Sequence, residues 1–560
     1  MTRDVASAHG ALSLEQKVGQ MFLLAFAGPT PADAAVMIRE HHIGGCYLSN
    51  ENLTTPGQAV ALTTALQALA EDGPGIPLLL AADQEGAWAV LTAYGCPGPG
   101  NMALGAAGSD HLTRDMYRVF GEELRAIGLH MDLAPVADAN TTPENSIIGM
   151  RSFGERPAQV ARQVTAAIAG LHDAGVGATA KHFPGHGDTR VDSHRHFPVV
   201  DRGRDILEAN ELLPFRAAVA AGVDIVMTSH IFFPALDPTR PATLSRAILT
   251  GLLRDEMKFP GVVLTDSFNM GSIRRSYESA DAAVQAVRAG ADMIMLAEER
   301  YGDARGTYLD DQRRLVRGVA AAVRRGDIEP SRIDDAVSRI LALKQKYVHP
   351  KRQARSKDDA AHLVGSREHR DVEQRAAEAA IVVVQDRRRL LPLRLTPEEK
   401  LVVASAADPE GYQRMDAGRG IGPNIVERPA QVALREITRR HARTVAANAP
   451  SADLEAVLSE AAGAAAVVVV TEKYPLAGFD FPDESQHRLI ARLVRARGPA
   501  VIIIGCRDPY ELAALPEVDV YVSAMGYRAA SVTAAVRVLF GEISPRGALP
   551  VSIPGLSPAG

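Results

Sequence analysis

One stretch concentrates groups that move protons: Lys181-His182-Phe183-Pro184-Gly185-His186-Gly187-Asp188-Thr189-Arg190-Val191-Asp192-Ser193-His194. Pro184, Gly185 and Gly187 forbid a continuous helix and predict a constrained loop, which can hold polar side chains in fixed positions. Asp192 and His194 stand two residues apart, close enough for the carboxylate to fix the imidazole tautomer and raise its basicity. That pair suits proton transfer near neutrality. The four histidines between Lys181 and His196 invite a metal reading, but the prolines and glycines deny them i, i+4 spacing and no H-E-x-x-H occurs. A hydrogen-bonded surface loop is the remaining alternative.

A second group is Asp266, at the end of Gly261-Val262-Val263-Leu264-Thr265. A carboxylate there serves either as a reactive group or as a cap for the following helix. Its companions at other predicted strand ends are Asp83, Arg151, Lys181, His182 and His230, each able to hold a hydroxyl group.

The elements that position these residues alternate. Short apolar runs at Gln20–Ala27, Ile43–Ser49, Ile76–Ala82, Leu129–Pro135, Gly177–His182, Asp224–Ser229, Gly261–Thr265 and Ala291–Leu296 read as strands, with helices such as His111–Ile127, Ala158–Ala174 and Ser245–Lys258 between them. Eight strands so arranged predict a (β/α)8 barrel over residues 1–348. Polar residues crowd where its strands end (Asp83-Gln84-Glu85, Asp138, Lys181-His182, Ser229-His230, Asp266, Glu298-Glu299), which is the rim where barrels carry chemistry. The charged segment 349–375 reads as a solvated linker. Beyond it, β-rich runs at Ala380–Val384, Leu401–Ala404, Ala464–Thr471, Ala500–Gly505 and Val518–Ser523 predict a smaller α/β layered domain over 376–560. Its glycine cluster Gly418–Gly422 lacks dinucleotide-binding spacing and is followed by Pro423.

A formal charge of −6 over 560 residues offers no basic stripe for a nucleic acid. Three widely separated cysteines, Cys46, Cys96 and Cys506, support neither a disulfide framework nor a thiolate metal site. The first fourteen residues lack the apolar core of a signal peptide, and no apolar run is long enough to span a membrane, so a cytoplasmic location is expected.

The chain resembles glycoside hydrolase family 3, and within it the β-N-acetylglucosaminidase branch. The resemblance is carried by Leu14-Glu15-Gln16-Lys17-Val18-Gly19-Gln20, Ile43-Gly44-Gly45, Asp83-Gln84-Glu85-Gly86, Ala134-Pro135-Val136-Ala137-Asp138, Arg151-Ser152-Phe153-Gly154, Lys181 through His194, Leu213-Pro214-Phe215, Pro241-Ala242-Thr243-Leu244-Ser245 and Thr265-Asp266. Gly547-Ala548-Leu549-Pro550-Val551-Ser552-Ile553-Pro554 looks like the end of the family's second domain. One departure stands out: where the branch usually continues Gly-Gly-Arg-Val, this chain has Gly86-Ala87-Trp88-Ala89-Val90, which puts its only tryptophan at the position of a rim arginine. Trp88 either stacks on a sugar face or fills space.

The resemblance implies Asp266 as nucleophile, His194 paired with Asp192 as acid/base, and Asp83, Arg151, Lys181 and His182 as the grip on the non-reducing sugar. It implies a retaining mechanism without metal or cofactor, acting on a small carbohydrate or glycoside with terminal β-linked N-acetylglucosamine. Substrate-assisted catalysis wants an adjacent carboxylate pair, whereas Ser267 follows Asp266. The alternatives are a phosphorylase acting on the same glycosides and a β-glucosidase specificity. A non-catalytic sugar-binding protein would need neither Asp266 nor His194. Because every implied catalytic group precedes His349, the second domain is expected to matter for stability more than for chemistry.

Overall fold

The computed structural model of the chain describes residues 12–73, 75–297, 307–348, 356–407, 410–413, 424–448, 454–477 and 479–556. Eight parallel strands form the first sheet: β1 (Phe22–Leu24), β2 (Gly45–Tyr47), β3 (Leu79–Ala82), β4 (Met131–Asp132), β5 (Gly177–Phe183), β6 (Ile225–Thr228), β7 (Val262–Leu264) and β8 (Ile294–Leu296). Their order is β7-β6-β5-β4-β3-β2-β1-β8. Val263 O accepts from both Asp292 N and Met293 N, and Leu264 bridges Met293, so the ring closes as a (β/α)8 barrel. Except for β5, which runs one residue past its predicted end, each strand is shorter than its apolar run because the flanking residues leave the ladder to build the rim.

The strands are buried along their whole length, as apolar runs covered by helices on the outside must be. Helices Asp110–Ala126 and Pro157–Ala174 stand where the apolar periodicity predicts them. The Ser245–Lys258 segment departs from expectation as a π-helix over Ala247–Glu256, with Met257 N reaching back to Leu252 O. At the N-terminal ends of the strands, two buried carboxylates tie the barrel to its last helix, Pro330–Tyr347. Asp224 accepts from Ala178 N, Lys346 and Tyr347, and Asp292 accepts from Val263 N, Arg332 and Arg339.

Over its described part, residues 356–375, the expected solvated linker is helical. Residues 349–355 lie outside the described residues, but beyond them run two helices, Lys357–Leu363 and Arg367–Ala380, capped by Ser356 and Ser366. The second helix buries His369 and Glu373 against the barrel. His369 bonds Glu122 (3.0 Å) and Glu123 (2.9 Å), and Glu123 also accepts from Cys96 N and Gly365 N. Composition shows the charges but not their helical spacing against partners far away in sequence.

The second sheet contains β9 (Val382–Asp386), β10 (Leu401–Ser405), β11 (Thr444–Asn448), β12 (Ala466–Thr471), β13 (Ala500–Gly505) and β14 (Val520–Ser523), in the order β11-β10-β12-β13-β14-β9. Five strands are parallel and β9 is antiparallel to β14. Sequence reading missed β11, an edge strand with exposed and half-buried positions and no apolar run. The Gly418–Pro423 cluster and Glu298-Glu299 lie outside the described residues. The C-terminal motif crosses to the barrel: Ala548 N donates to Ala106 O, Pro550 O accepts from Glu155 N, and Ser552 N donates to Glu155. Among the described residues, no helix is long and apolar enough to cross a membrane.

The His369 site predicts a pH-dependent stability. Burial alone would lower the imidazole pKa, but Glu122 and Glu123 raise it to about 9. A folded value above the unfolded one, about 6.5, contributes stability that is fully present below that value and lost as pH rises through 9. His369→Ala is therefore expected to cost about 1.5–3 kcal/mol at pH 6 and markedly less at pH 9.5. Denaturant unfolding at both pH values checks this, and an equal loss at both would show that the charge is not involved.

Candidate active site

The strand ends of the barrel converge on a pocket lined by Asp83, Trp88, Ile147, Arg151, Lys181, His182, His186, Ser193, His194, Met227, Asp266, Ser267 and Met295. β3 delivers Asp83, β5 carries Lys181 and His182 in its last turns of pleat, and β7 leads through Thr265 to Asp266. The loop after β5 brings His186, Ser193 and His194 over the mouth. It lies tightly on its neighbours: a Cβ on Gly187 would stand 1.7 Å from Ala139 O, and one on Gly271 would stand 2.5 Å from His194 O. Backbone alone fits at both contacts.

One half of the pocket is an ionic network centred on Glu85, which is fully buried. Its carboxylate takes two guanidinium bonds from Arg151 (2.9 Å each) and an ion pair from Lys181 (2.7 Å). Lys181 also meets Asp83 at 2.5 Å, and Tyr47 donates to the other Asp83 oxygen at 2.7 Å. Burial alone would push Glu85 up, but Arg151 and Lys181 hold it down at about 2. For Lys181 the senses reverse: burial lowers its pKa, and Asp83 with Glu85 more than restores it. The network presents fixed charged donors and an acceptor suited to ring hydroxyls.

His182 is oriented by Asp138, which accepts from its Nδ1 at 2.8 Å and from the amides of His182 (3.1 Å) and His186 (2.7 Å). Its Nε2 lies 3.4 Å from Arg151. His194 repeats the device: one oxygen of Asp192 meets its Nδ1 at 2.7 Å and its amide at 2.8 Å. Asp192 thus sets the orientation of the ring that lines the pocket and commits its Nδ1. The histidines do not converge on a metal. His186 spends its ring nitrogens on Thr189 and Ser193, and His196 is exposed. Among the described residues there is no group of three or more metal-ligating side chains.

Asp266 keeps part of its surface open to the pocket and accepts from Ser267 N at 2.7 Å. Burial would raise its pKa, but His182, His230, His194 and the Ser267 amide outweigh it and hold the carboxyl below the usual aspartate range. It is therefore anionic at neutral pH and facing a cavity, as a nucleophile must be.

One sequence expectation changes, and for Trp88 the structure joins both expected readings. His230 does not line the pocket: its Nδ1 meets Thr243 Oγ1 at 2.9 Å and its Nε2 donates to Ser267 O at 3.0 Å, so it pins the peptide after Asp266 and cannot hold a sugar hydroxyl. Trp88 does line the pocket and is 4% exposed, with the Arg151 guanidinium 3.8 Å from its ring centroid and His194 edge-on at 6.2 Å. Its Nε1 donates to Pro475 O, in the second domain, at 2.7 Å. It is a wall that also packs. Glu85, Asp138 and Tyr47 were missed as site residues. Glu85 and Asp138 sit at strand ends in the quoted motifs, which is a usable signal, whereas Tyr47 reads only as a buried strand residue.

The profile described as "Glycosyl hydrolase family 3 N terminal domain" matches residues 13–343, and "Glycosyl hydrolase family 3 C-terminal domain" matches 381–557. "Beta-hexosaminidase A" of Pseudoalteromonas piscicida is 33% identical over 383 residues, 65% of this chain and 63% of that protein. "Beta-N-acetylglucosaminidase/beta-glucosidase" of Cellulomonas fimi is 31% identical over 389 residues, 68% of this chain and 66% of that protein. The chain thus aligns with just under two thirds of the length of these two relatives. A solved glycoside hydrolase family 3 β-N-acetylglucosaminidase from Paenibacillus sp. str. FPU-7 superposes with a TM-score of 0.84 at 33% identity, covering 96% of this chain and 98% of that one. The chain belongs to glycosyl hydrolase family 3.

Proposed function

We propose that the chain is a retaining β-N-acetylhexosaminidase that removes terminal β-linked N-acetylglucosamine, with Asp266 as nucleophile, His194 as acid/base and Asp192 as the residue that orients it. The observation that carries this reading is a single pocket holding an anionic Asp266 and a His194 fixed by a carboxylate through Nδ1. The names of the relatives support the sugar, each naming a hexosaminidase or N-acetylglucosaminidase, with β-glucosidase named beside it for the Cellulomonas fimi protein.

In the first step an Asp266 oxygen bonds to the anomeric carbon as the glycosidic C–O bond breaks, and His194 Nε2 gives its proton to the departing oxygen. In the second, water bonds to the anomeric carbon, the Asp266 ester bond breaks, and His194 takes the water proton. The cycle consumes one water and returns both residues to their starting states. Asp83, Lys181, Arg151 and His182 hold the ring hydroxyls. Asp192 keeps Nδ1 occupied, so that Nε2 alone exchanges protons.

Asp266→Ala is expected to abolish turnover with the fold intact. His194→Ala should slow substrates with poor leaving groups by about 10²–10⁴-fold while largely sparing glycosylation by aryl glycosides whose acidic phenols leave unprotonated. Rates measured across a series of aryl N-acetyl-β-glucosaminides of graded phenol acidity check this. An equal loss along the whole series would remove His194 from leaving-group protonation, and faster release from aryl β-glucosides would overturn the sugar.

Since imidazole carries no negative charge, His194 does not repel an anion approaching the glycosyl-enzyme, and inorganic phosphate competes with water as acceptor. Hydrolysis predicts free N-acetylglucosamine with retained anomeric configuration in millimolar phosphate. Dominant sugar 1-phosphate in the same product analysis would make the enzyme a phosphorylase.

A further inference from the structure

The loop Gly86–Val90 follows directly on Asp83 and Glu85 and carries Trp88, yet it belongs to no regular element whose ladder could satisfy its backbone. Buried carbonyls need partners, and here the second domain supplies them. Gly86 O accepts from Arg528 Nη2 at 3.1 Å, and Ala87 O accepts from the Tyr527 hydroxyl and from Arg528. Ala89 O accepts from Asn424 Nδ2 at 2.8 Å, and Trp88 returns a bond to Pro475 O. We infer that the second domain positions the sugar-gripping half of the pocket by clamping this loop, with Tyr527 and Arg528 as positioning residues. The inference rests on the site proposed above.

Arg528 carries the argument furthest. It is 7% exposed, and its hydrogen bonds among the described residues all go to main-chain carbonyls, those of Gly86, Ala87 and Asn424. A buried guanidinium spent on carbonyls rather than on a carboxylate is a poor device for stability, since an apolar side chain of similar volume often serves a core as well. Its planar fork does suit one task, holding a loop in one geometry. Gly526, just before the pair, lets the two domains meet closely: a Cβ there would stand 2.4 Å from Pro99 O.

The clamp acts through two contacts. Glu85, adjacent to the clamped carbonyls, fixes Arg151 and Lys181; Trp88, inside the clamp, rests between Arg151 and His194. A shift of the loop therefore displaces the grip and the wall beside the acid/base together, and displacements of about 1 Å can lower rates about 10²-fold.

Trp88 is the only tryptophan in the chain, so its emission reports the loop without any substrate. Arg528→Ala and Tyr527→Phe are compared with the intact chain by emission maximum, acrylamide quenching and steady-state kinetics on an aryl N-acetyl-β-glucosaminide. Val467→Ala, in the core of β12, is the control for general destabilisation of the second domain. The clamp predicts, for Arg528→Ala, red-shifted emission, at least twofold stronger quenching and a tenfold or greater fall in kcat/KM carried mainly by KM. Tyr527→Phe should move in the same direction by less, and Val467→Ala should leave emission unchanged while lowering Tm. Wild-type emission and kinetics in a folded Arg528→Ala, or in Tyr527→Phe if the former does not fold, overturn the inference. Inactivity of the unmodified chain on the aryl glycoside would sink the proposed function instead, while emission would still decide the clamp.

Discussion

The Glu85 carboxylate is the constraint on which the pocket rests. Arg151 and Lys181 are both buried cations in the mouth of an apolar barrel, a placement that is strongly unfavourable for either charge alone. Glu85 neutralises both at once and Asp83 shares Lys181, so two acids and two bases form one closed set. The set is held at two strand ends, those of β3 and β5, and at the turn Gly149–Arg151. Any substrate that enters meets donors whose directions are already fixed, so little ordering has to accompany binding. Removing Glu85 would leave Arg151 without its carboxylate partner and Lys181 with Asp83 alone, and the pocket would lose its geometry together with its charge balance.

Against that ionic half stands a half built from histidines. Each of His182 and His194 binds a carboxylate through Nδ1, and His230 binds a peptide carbonyl through Nε2, so three rings are aimed by three different acceptors. All three lower the pKa of Asp266, overcoming the burial that would raise it. The proposed nucleophile thus stays charged although it is buried, countered by histidine rings rather than by a lysine or an arginine. A lysine in the place of one of these rings would stabilise the ground-state anion more and the covalent step less.

Much of this was legible in the sequence, for reasons that also mark where legibility stops. Buried parallel strands need continuous apolar runs, and seven of the eight barrel strands stand inside the runs that predicted them, β5 passing its run by one residue. A strand end followed by a polar residue is a strong local sign, which is why Asp83, Lys181, His182 and Asp266 line the pocket. His230 carries the same local sign but faces Thr243 and Ser267 O, a matter of side-chain direction that spacing along the chain does not encode. The helices at Lys357–Leu363 and Arg367–Ala380 look like a solvated run because the partners of His369 lie some 250 residues earlier, at Glu122 and Glu123 (|i−j| 247 and 246). The contacts of the Gly86–Val90 loop are longer still, reaching Tyr527 and Arg528 across more than 400 positions (|i−j| 440 and 442). No periodicity reports such pairs.

Those long contacts follow from topology. In parallel sheets the loops that leave the C-terminal strand ends are free to vary, so function collects there. The barrel presents its rim by that edge. The second sheet does the same: Pro475 follows β12, and Tyr527 with Arg528 follows β14. The two edges meet at the Gly86–Val90 loop, so the wall around Trp88 is held from both domains although the proposed reacting groups come from one. This separates chemistry from positioning within the chain. The barrel can keep Asp266, His194 and the Glu85 network unchanged while the second domain, by altering the groups that clamp Gly86–Val90, resets the wall against which a substrate rests.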